Sequence, residues 1–190
     1  MHLASGIILR YNIHMFSDPA NNVAQFGLSS GMQVADFGSG SGFYTLAAGR
    51  AVAPNGQVFA VDIQKDLLQK IKKGAAEQEL NNVNIVWADL EHLGGTKLRE
   101  SSLDAVIAAN LLFQIENKDA LCLEIKRVLR PLSRVLVIDW SGSFGNMGPI
   151  EKDIVEKEKM IELFTSHGFE LDREISAGTQ HYGLIFRKQK

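Results

Sequence analysis

Gln33-Val34-Ala35-Asp36-Phe37-Gly38-Ser39-Gly40-Ser41-Gly42-Phe43 decides how this chain is read. A short apolar run stops at alternating glycines, and then Tyr44, Leu46, Ala47, Ala48, Ala51 and Val52 recur at helical spacing. The order is therefore strand, glycine loop, helix. Gly38, Gly40 and Gly42 let the backbone turn tightly and approach a ligand with no Cβ in the way.

Outward from this segment the same alternation repeats. Pro54-Asn55-Gly56 ends the first helix, Gln57–Val61 reads as a second strand, and Leu67, Leu68, Ile71, Ala75 and Leu80 keep helical spacing. Further strands are predicted at Val83–Trp87, Leu103–Ala108 and Arg134–Ile138, with a helix carrying Leu121, Ile125, Val128 and Leu129 on one face. Ile150, Ile154, Ile161 and Phe164 mark another helix that closes at His167-Gly168. Phe169–Ile175 and His181–Arg187 are joined by Ser176–Gln180, too short for a parallel crossover, so the last strand must run antiparallel. The pattern predicts an α/β fold, a Rossmann-like three-layer sandwich on a seven-stranded, mostly parallel sheet with an antiparallel last strand. A chain of 190 residues fits one domain, read as a core over 31–190 and an N-terminal arm or lid over 1–30.

Composition narrows the function. Twenty Lys+Arg against 22 Asp+Glu give a formal charge of −2, which lacks the cationic excess of a polyphosphate binder, so nucleic acid is not expected as a partner. The single cysteine, Cys122, sits in the apolar pattern Leu121–Ile125 and reads as core. The N-terminus lacks a basic start and a long enough apolar stretch for a signal peptide, and no segment approaches the length of a membrane span. The expected location is the cytoplasm.

The loop chemistry points to a cationic ligand. A nicotinamide fingerprint would need a third glycine where Phe43 stands. Asp36, just before the glycines, would repel pyrophosphate but accept from an ammonium group, and S-adenosylmethionine carries both an ammonium and a sulfonium. Asp62 closes the second strand, where a carboxylate can grip vicinal ribose hydroxyls. Asp89 ends the third, placed to accept from an adenine amino group. Each acid alone could be a strand cap or a solvated turn residue; three at neighbouring strand ends read as one site.

With these residues in view, Val34–Gly42, Val58–Ile63, Val86–Leu90, Leu103–Asn110 and Val128–Asp139 resemble the successive motifs of class I S-adenosylmethionine-dependent methyltransferases. Phe26-Gly27-Leu28 and His167-Gly168-Phe169 make the chain similar, more loosely, to the ubiquinone/menaquinone-biosynthesis-like members. The resemblance implies S-adenosylmethionine as cofactor. It places Asp36 and the Gly38-Ser39-Gly40 backbone near the methionine part, Asp62 on ribose, Ile63 and Leu90 around adenine, Asp89 on its amine and Asn110 on the methionine side. Gly42 belongs to the same loop. One departure stands out: the family's Lys-Pro-Gly-Gly turn is here Arg130-Pro131-Leu132-Ser133, without its glycines.

The acceptor is sought at the opposite end of the site. His181 and Tyr182, at the start of the last strand, are the candidate catalytic residues that orient or deprotonate a small-molecule acceptor. Asp139 and Trp140 open a Gly/Ser-rich loop and could hold a planar acceptor, while Arg10, Tyr11, His14 and Phe16 of the arm could cover it. His92 and His167 read as structural. No metal is expected, because Trp140 stands where a catechol-type site needs a second amide. There is no Asn/Asp-Pro-Pro-aromatic sequence for amino-nitrogen methylation of bases, no Pro-Cys nucleophile for cytosine, and no set of thiols for arsenite. Transfer to oxygen or carbon of a small organic acceptor is expected ahead of nitrogen. The other readings are a non-catalytic S-adenosylmethionine-binding module that regulates or completes a partner, and a nicotinamide oxidoreductase.

Overall fold

Val34, Ala35, Asp36 and Phe37 of strand β1 (Gln33–Phe37) are all buried, as a strand covered on both faces must be. The computed structural model describes residues 17–143 and 148–190. In it β1 lies between β2 (Gln57–Asp62) and β4 (Leu103–Ala109), parallel to both. With β3 (Val83–Trp87), β5 (Leu129–Trp140), β6 (Phe169–Ile175) and β7 (His181–Lys188) the sheet runs β3-β2-β1-β4-β5-β7-β6. β7 is antiparallel to both β5 and β6, so the first six strands share one direction and the last alone is reversed, as the short Ser176–Gln180 connection requires.

Side chains alternate between two cores. Val34, Val58, Ile107, Leu136 and Ile185 face α1 (Pro19–Phe26) and α2 (Phe43–Val52), and Ala60 on the same side meets α3 (Lys65–Glu77). Phe37, Val106, Val135, Val137 and Phe186 face α4 (Lys118–Val128) and α5 (Lys157–Ser166), where Cys122 is fully buried. No helix among the described residues is long and apolar enough to cross a membrane.

Three expectations need correction. The sequence Asp18-Pro19 opens a helix, α1, that hydrophobic spacing did not reveal: Asp18 accepts from the amides of Ala20 and Asn21, and proline suits the first turn. The helix expected from Ile150 begins only at Lys157. Ile150 and Ile154 have helical spacing, but they flank a single 3-10 turn, Glu151–Asp153, and Ile150 stays exposed. The fifth strand begins at Leu129, directly out of α4, with Leu103 opposite Leu129 and Ala105 opposite Arg134. The extra residues form the turn that lacks its glycines, and Leu132 takes the left-handed backbone, φ 67°, in their place. Arg10, Tyr11, His14 and Phe16 lie outside the described residues.

Candidate functional site

The strand order reverses direction between β1 and β4, since β2 and β3 build out on one side and β5 on the other, and open α/β sheets bind ligands at such a point. A cavity of about 530 Å³ opens there, within the range of small-molecule sites. Every cofactor residue expected from the sequence lines it: Asp36, Gly38, Ser39, Gly40, Gly42, Asp62, Ile63, Asp89, Leu90 and Asn110.

The glycine loop is held from beneath. One carboxylate oxygen of Asp62 accepts from the Gly40 amide at 2.8 Å and the other from the Gln64 amide at 2.8 Å. Asp62 therefore ties the loop to β2, and each oxygen keeps a lone pair for a ligand hydroxyl. Gly40 has φ +49°, and a Cβ there would point into open space with only Gly38 O nearby, at 3.8 Å, so a side chain would fill the cradle. The N-terminus of α2 has no side-chain cap, which leaves amides to receive an anionic group such as a ligand carboxylate.

Asp36 is the electrostatically costly residue. It is buried, accepts from the Thr45 hydroxyl at 2.6 Å, and is pushed up to about 7, chiefly by burial. A ligand cation beside it would relieve that cost. Asp89 is half-exposed, accepts from the Glu91 amide at 2.9 Å and pairs with the exposed His92 at 2.9 Å. Asn110 has a left-handed backbone, φ 54°, anchored by its amide to Ile138 O at 2.8 Å. Its Oδ1 is buried with no partner, as is Ser39 Oγ. Carboxylates for an ammonium and hydroxyls, an uncapped helix end and orphaned polar atoms suit the cofactor that the sequence implied.

At the other end of the cavity, Trp140 of β5 lies directly across from His181 of β7, ring centroids 4.3 Å apart. Both line the cavity. His181 is buried with neither ring nitrogen hydrogen-bonded, and burial lowers it to about 4, so its imidazole is neutral near pH 7. Gly148, left-handed at φ +82°, lies close under the indole, where a Cβ would meet the ring at 2.8 Å.

Strand alternation separates the remaining candidates from this group. Asp139 and Tyr182 are also cross-strand partners, but on the opposite face of the sheet, and neither lines the cavity. Tyr182 donates its hydroxyl to Val155 O at 2.9 Å, and burial raises its phenol, so it is not placed to take a proton from a ligand. Asp139 is buried and raised to about 6, again mainly by burial. Sequence reasoning missed Ser17 and Tyr44 in the cavity wall, where the two hydroxyls and the Asn22 amide form one hydrogen-bonded group joining α1 to α2. Tyr44 read only as an apolar helix position, and the capping residues Asp18-Pro19 were the available clue to α1.

A family model described as a methyltransferase domain matches residues 28–189. The ubiquinone/menaquinone biosynthesis C-methyltransferase UbiE of Hahella chejuensis is 33% identical over 116 residues, 60% of this chain and 45% of its own length. The arsenite methyltransferase of Halobacterium salinarum is 29% identical over 119 residues, 63% of this chain and 30% of its own. The matches thus span less than half the length of these relatives. A solved SAM-dependent methyltransferase from Aquifex aeolicus superposes with a TM-score of 0.82 at 23% identity, covering 92% of this chain and 91% of that one, which bears on the fold. With the family model spanning most of the chain, the chain belongs to the class I S-adenosylmethionine-dependent methyltransferases.

Proposed function

We propose that the chain transfers a methyl group from S-adenosylmethionine to oxygen or carbon of a small organic acceptor held in the cavity against the touching rings of Trp140 and His181. The observation that carries this reading is His181: a buried imidazole with two unpaired nitrogens, set at the cavity end away from Asp62 and Asp89. Leaving such atoms unpaired costs free energy, and an acceptor O–H would satisfy one of them. Trp140 supplies a flat apolar wall beside it.

The bound cofactor supplies a sulfonium methyl, open to in-line displacement by a nucleophile. The chain's part is to align and to manage one proton. Asp36, Asp62 and Asp89 would hold the donor by its ammonium, ribose and purine. For a hydroxyl acceptor, a neutral His181 nitrogen would take the hydroxyl proton as the acceptor oxygen receives the methyl group that the cofactor would supply. For ring carbon, His181 accepts the ring proton that the new C–C bond displaces. Arsenite is disfavoured as acceptor here, although a relative carries that name: the one cysteine, Cys122, is buried in the α4 core and its thiol is pushed up to about 12.

Calorimetric titration with S-adenosylmethionine and with NAD, followed by a screen of phenolic, enolic and carboxylic acceptors, tests the proposal. Selective binding of the former with turnover lowered by about a hundredfold or more in His181→Ala supports it. Preference for NAD defeats it, and binding with no turnover on any acceptor favours a regulatory module instead.

A further inference from the structure

The loop that leaves β3 supplies Ala88, Asp89, Leu90 and Glu91 to the cavity wall, and it is fastened to α4 at two places. Glu91 Oε2 accepts from the amides of Glu116 and Asn117 at 3.1 and 2.8 Å, at the start of α4. Farther along, Glu124 in the middle of α4 has no solvent exposure. Its Oε2 accepts from the Gly94 amide at 2.7 Å, and its Oε1 from the amide and hydroxyl of Thr96. Arg127 closes the arrangement, donating Nε and Nη2 to the same carboxylate at 2.8 and 2.7 Å and Nη1 to Leu98 O at 2.8 Å. Burial works to raise Glu124, but the bonds from Arg127, Thr96 and Gly94 outweigh it and hold the carboxyl below its ordinary value.

A buried ion pair contributes little to stability compared with well-packed apolar residues, so its stability effect does not explain why Glu124 and Arg127 stand here. What they do is fix residues 94–98. The loop has no slack between that clamp and the cavity: the Gly95 amide donates to His92 O at 2.9 Å, and a Cβ on Gly95 would lie 2.1 Å from Asp89 O. Both side-chain partners of Asp89, the Glu91 amide and His92, belong to the loop itself. Asp89 can be no better placed than the loop that carries it.

We propose that Glu124 and Arg127 are positioning residues of the cofactor site, clamping residues 94–98 so that Asp89 is held where it selects a purine bearing an exocyclic amine. The inference rests on reading Asp89 as the purine contact. It assigns cofactor selectivity to a salt bridge on the helix behind the wall, with no contact to the ligand.

The test uses the full chain and two stable probes, S-adenosylhomocysteine and its deaminated counterpart S-inosylhomocysteine, titrated calorimetrically. Wild type should prefer the amino purine by about tenfold, the worth of one hydrogen bond to a charged acceptor. Asp89→Ala, Glu124→Gln and Thr96→Val should each shrink that preference, and amide exchange at Gly94 and Thr96 should quicken in the ligand-free Glu124→Gln and Thr96→Val proteins. If these two variants melt lower but keep the wild-type preference, the clamp is structural only and the proposal is overturned. The same holds if Asp89→Ala leaves the preference intact. Should Glu124→Gln fail to fold, Thr96→Val, which keeps both charges, decides the matter. Failure of wild type to bind either probe would instead remove the cofactor reading itself, and this inference with it.

Discussion

Asp36→Asn should make the ligand-free protein more stable and a worse cofactor binder, with both effects governed by pH. Asp36 moves from its ordinary 3.8 to about 7 because it is buried, with the Thr45 hydroxyl as its side-chain partner. An acid whose folded value is raised binds its proton more tightly folded than unfolded, so stability falls as pH rises from about 4 to about 7 and the penalty is complete above that. Over that span the ionised carboxylate costs about 4 kcal/mol. Asparagine keeps an oxygen for Thr45 and carries no charge, so the variant escapes the penalty. At pH 8 it should melt higher than wild type by roughly 8–16 °C for a domain of this size, and at pH 4 the two should coincide.

Binding carries the opposite sign. A ligand cation beside Asp36 favours the ionised form, so binding expels a proton, and wild-type affinity for S-adenosylmethionine should rise up to about tenfold per pH unit towards 7 and then level. Asp36→Asn should bind weakly with no slope. Thermal melts from pH 4 to 8.5 and calorimetry over the same range measure both. A variant no more stable than wild type at pH 8 would refute the burial penalty at Asp36, and a wild type with pH-independent affinity would refute the placement of the cation there.

Asp62→Ala removes the acceptor for the Gly40 and Gln64 amides, and should cost about 2–4 kcal/mol in a denaturant melt as well as weakening cofactor binding; loss of binding with an unchanged melt would mean that the loop stands without this tie. His181→Ala should lower turnover by about a hundredfold or more while leaving cofactor affinity in place, and unaltered turnover on a competent acceptor would remove His181 as proton acceptor. Leu132→Gly should stabilise the chain by about 1 kcal/mol in equilibrium unfolding, because Leu132 is strained at φ 67° and half-exposed; a destabilised variant would show that its packing outweighs the strain.

How much of this was legible in the sequence follows from the range of each interaction. The order of elements along the chain, the reversed β7 and the cavity-lining acids could be read because each depends on local periodicity or on a short segment: Asp36, Asp62 and Asp89 all lie within two residues of a strand's C-terminal end, and such ends meet along one edge of a parallel sheet. Which face a residue takes was harder. His181 and Tyr182 were indistinguishable as neighbours at a strand start, and so were Asp139 and Trp140, yet a one-residue offset puts one of each pair in the cavity and the other in the opposite layer. The α1 helix is short and was hidden because only its cap and three buried residues, Asn22, Val23 and Phe26, mark it.

The Glu124 clamp lay beyond sequence reasoning for a different reason. A Glu and an Arg three apart on a helix normally form a solvated surface pair of little consequence. Only the loop folded over them, 28 to 30 residues earlier in the chain, turns the pair into a buried junction. The three acids near the strand ends mark the cavity in which we propose the cofactor sits, whereas the precision with which Asp89 is held depends on contacts far apart in the chain. Local patterns reveal the first and only the folded arrangement reveals the second, so variants chosen from motif positions alone would test the contact and leave its support unexamined.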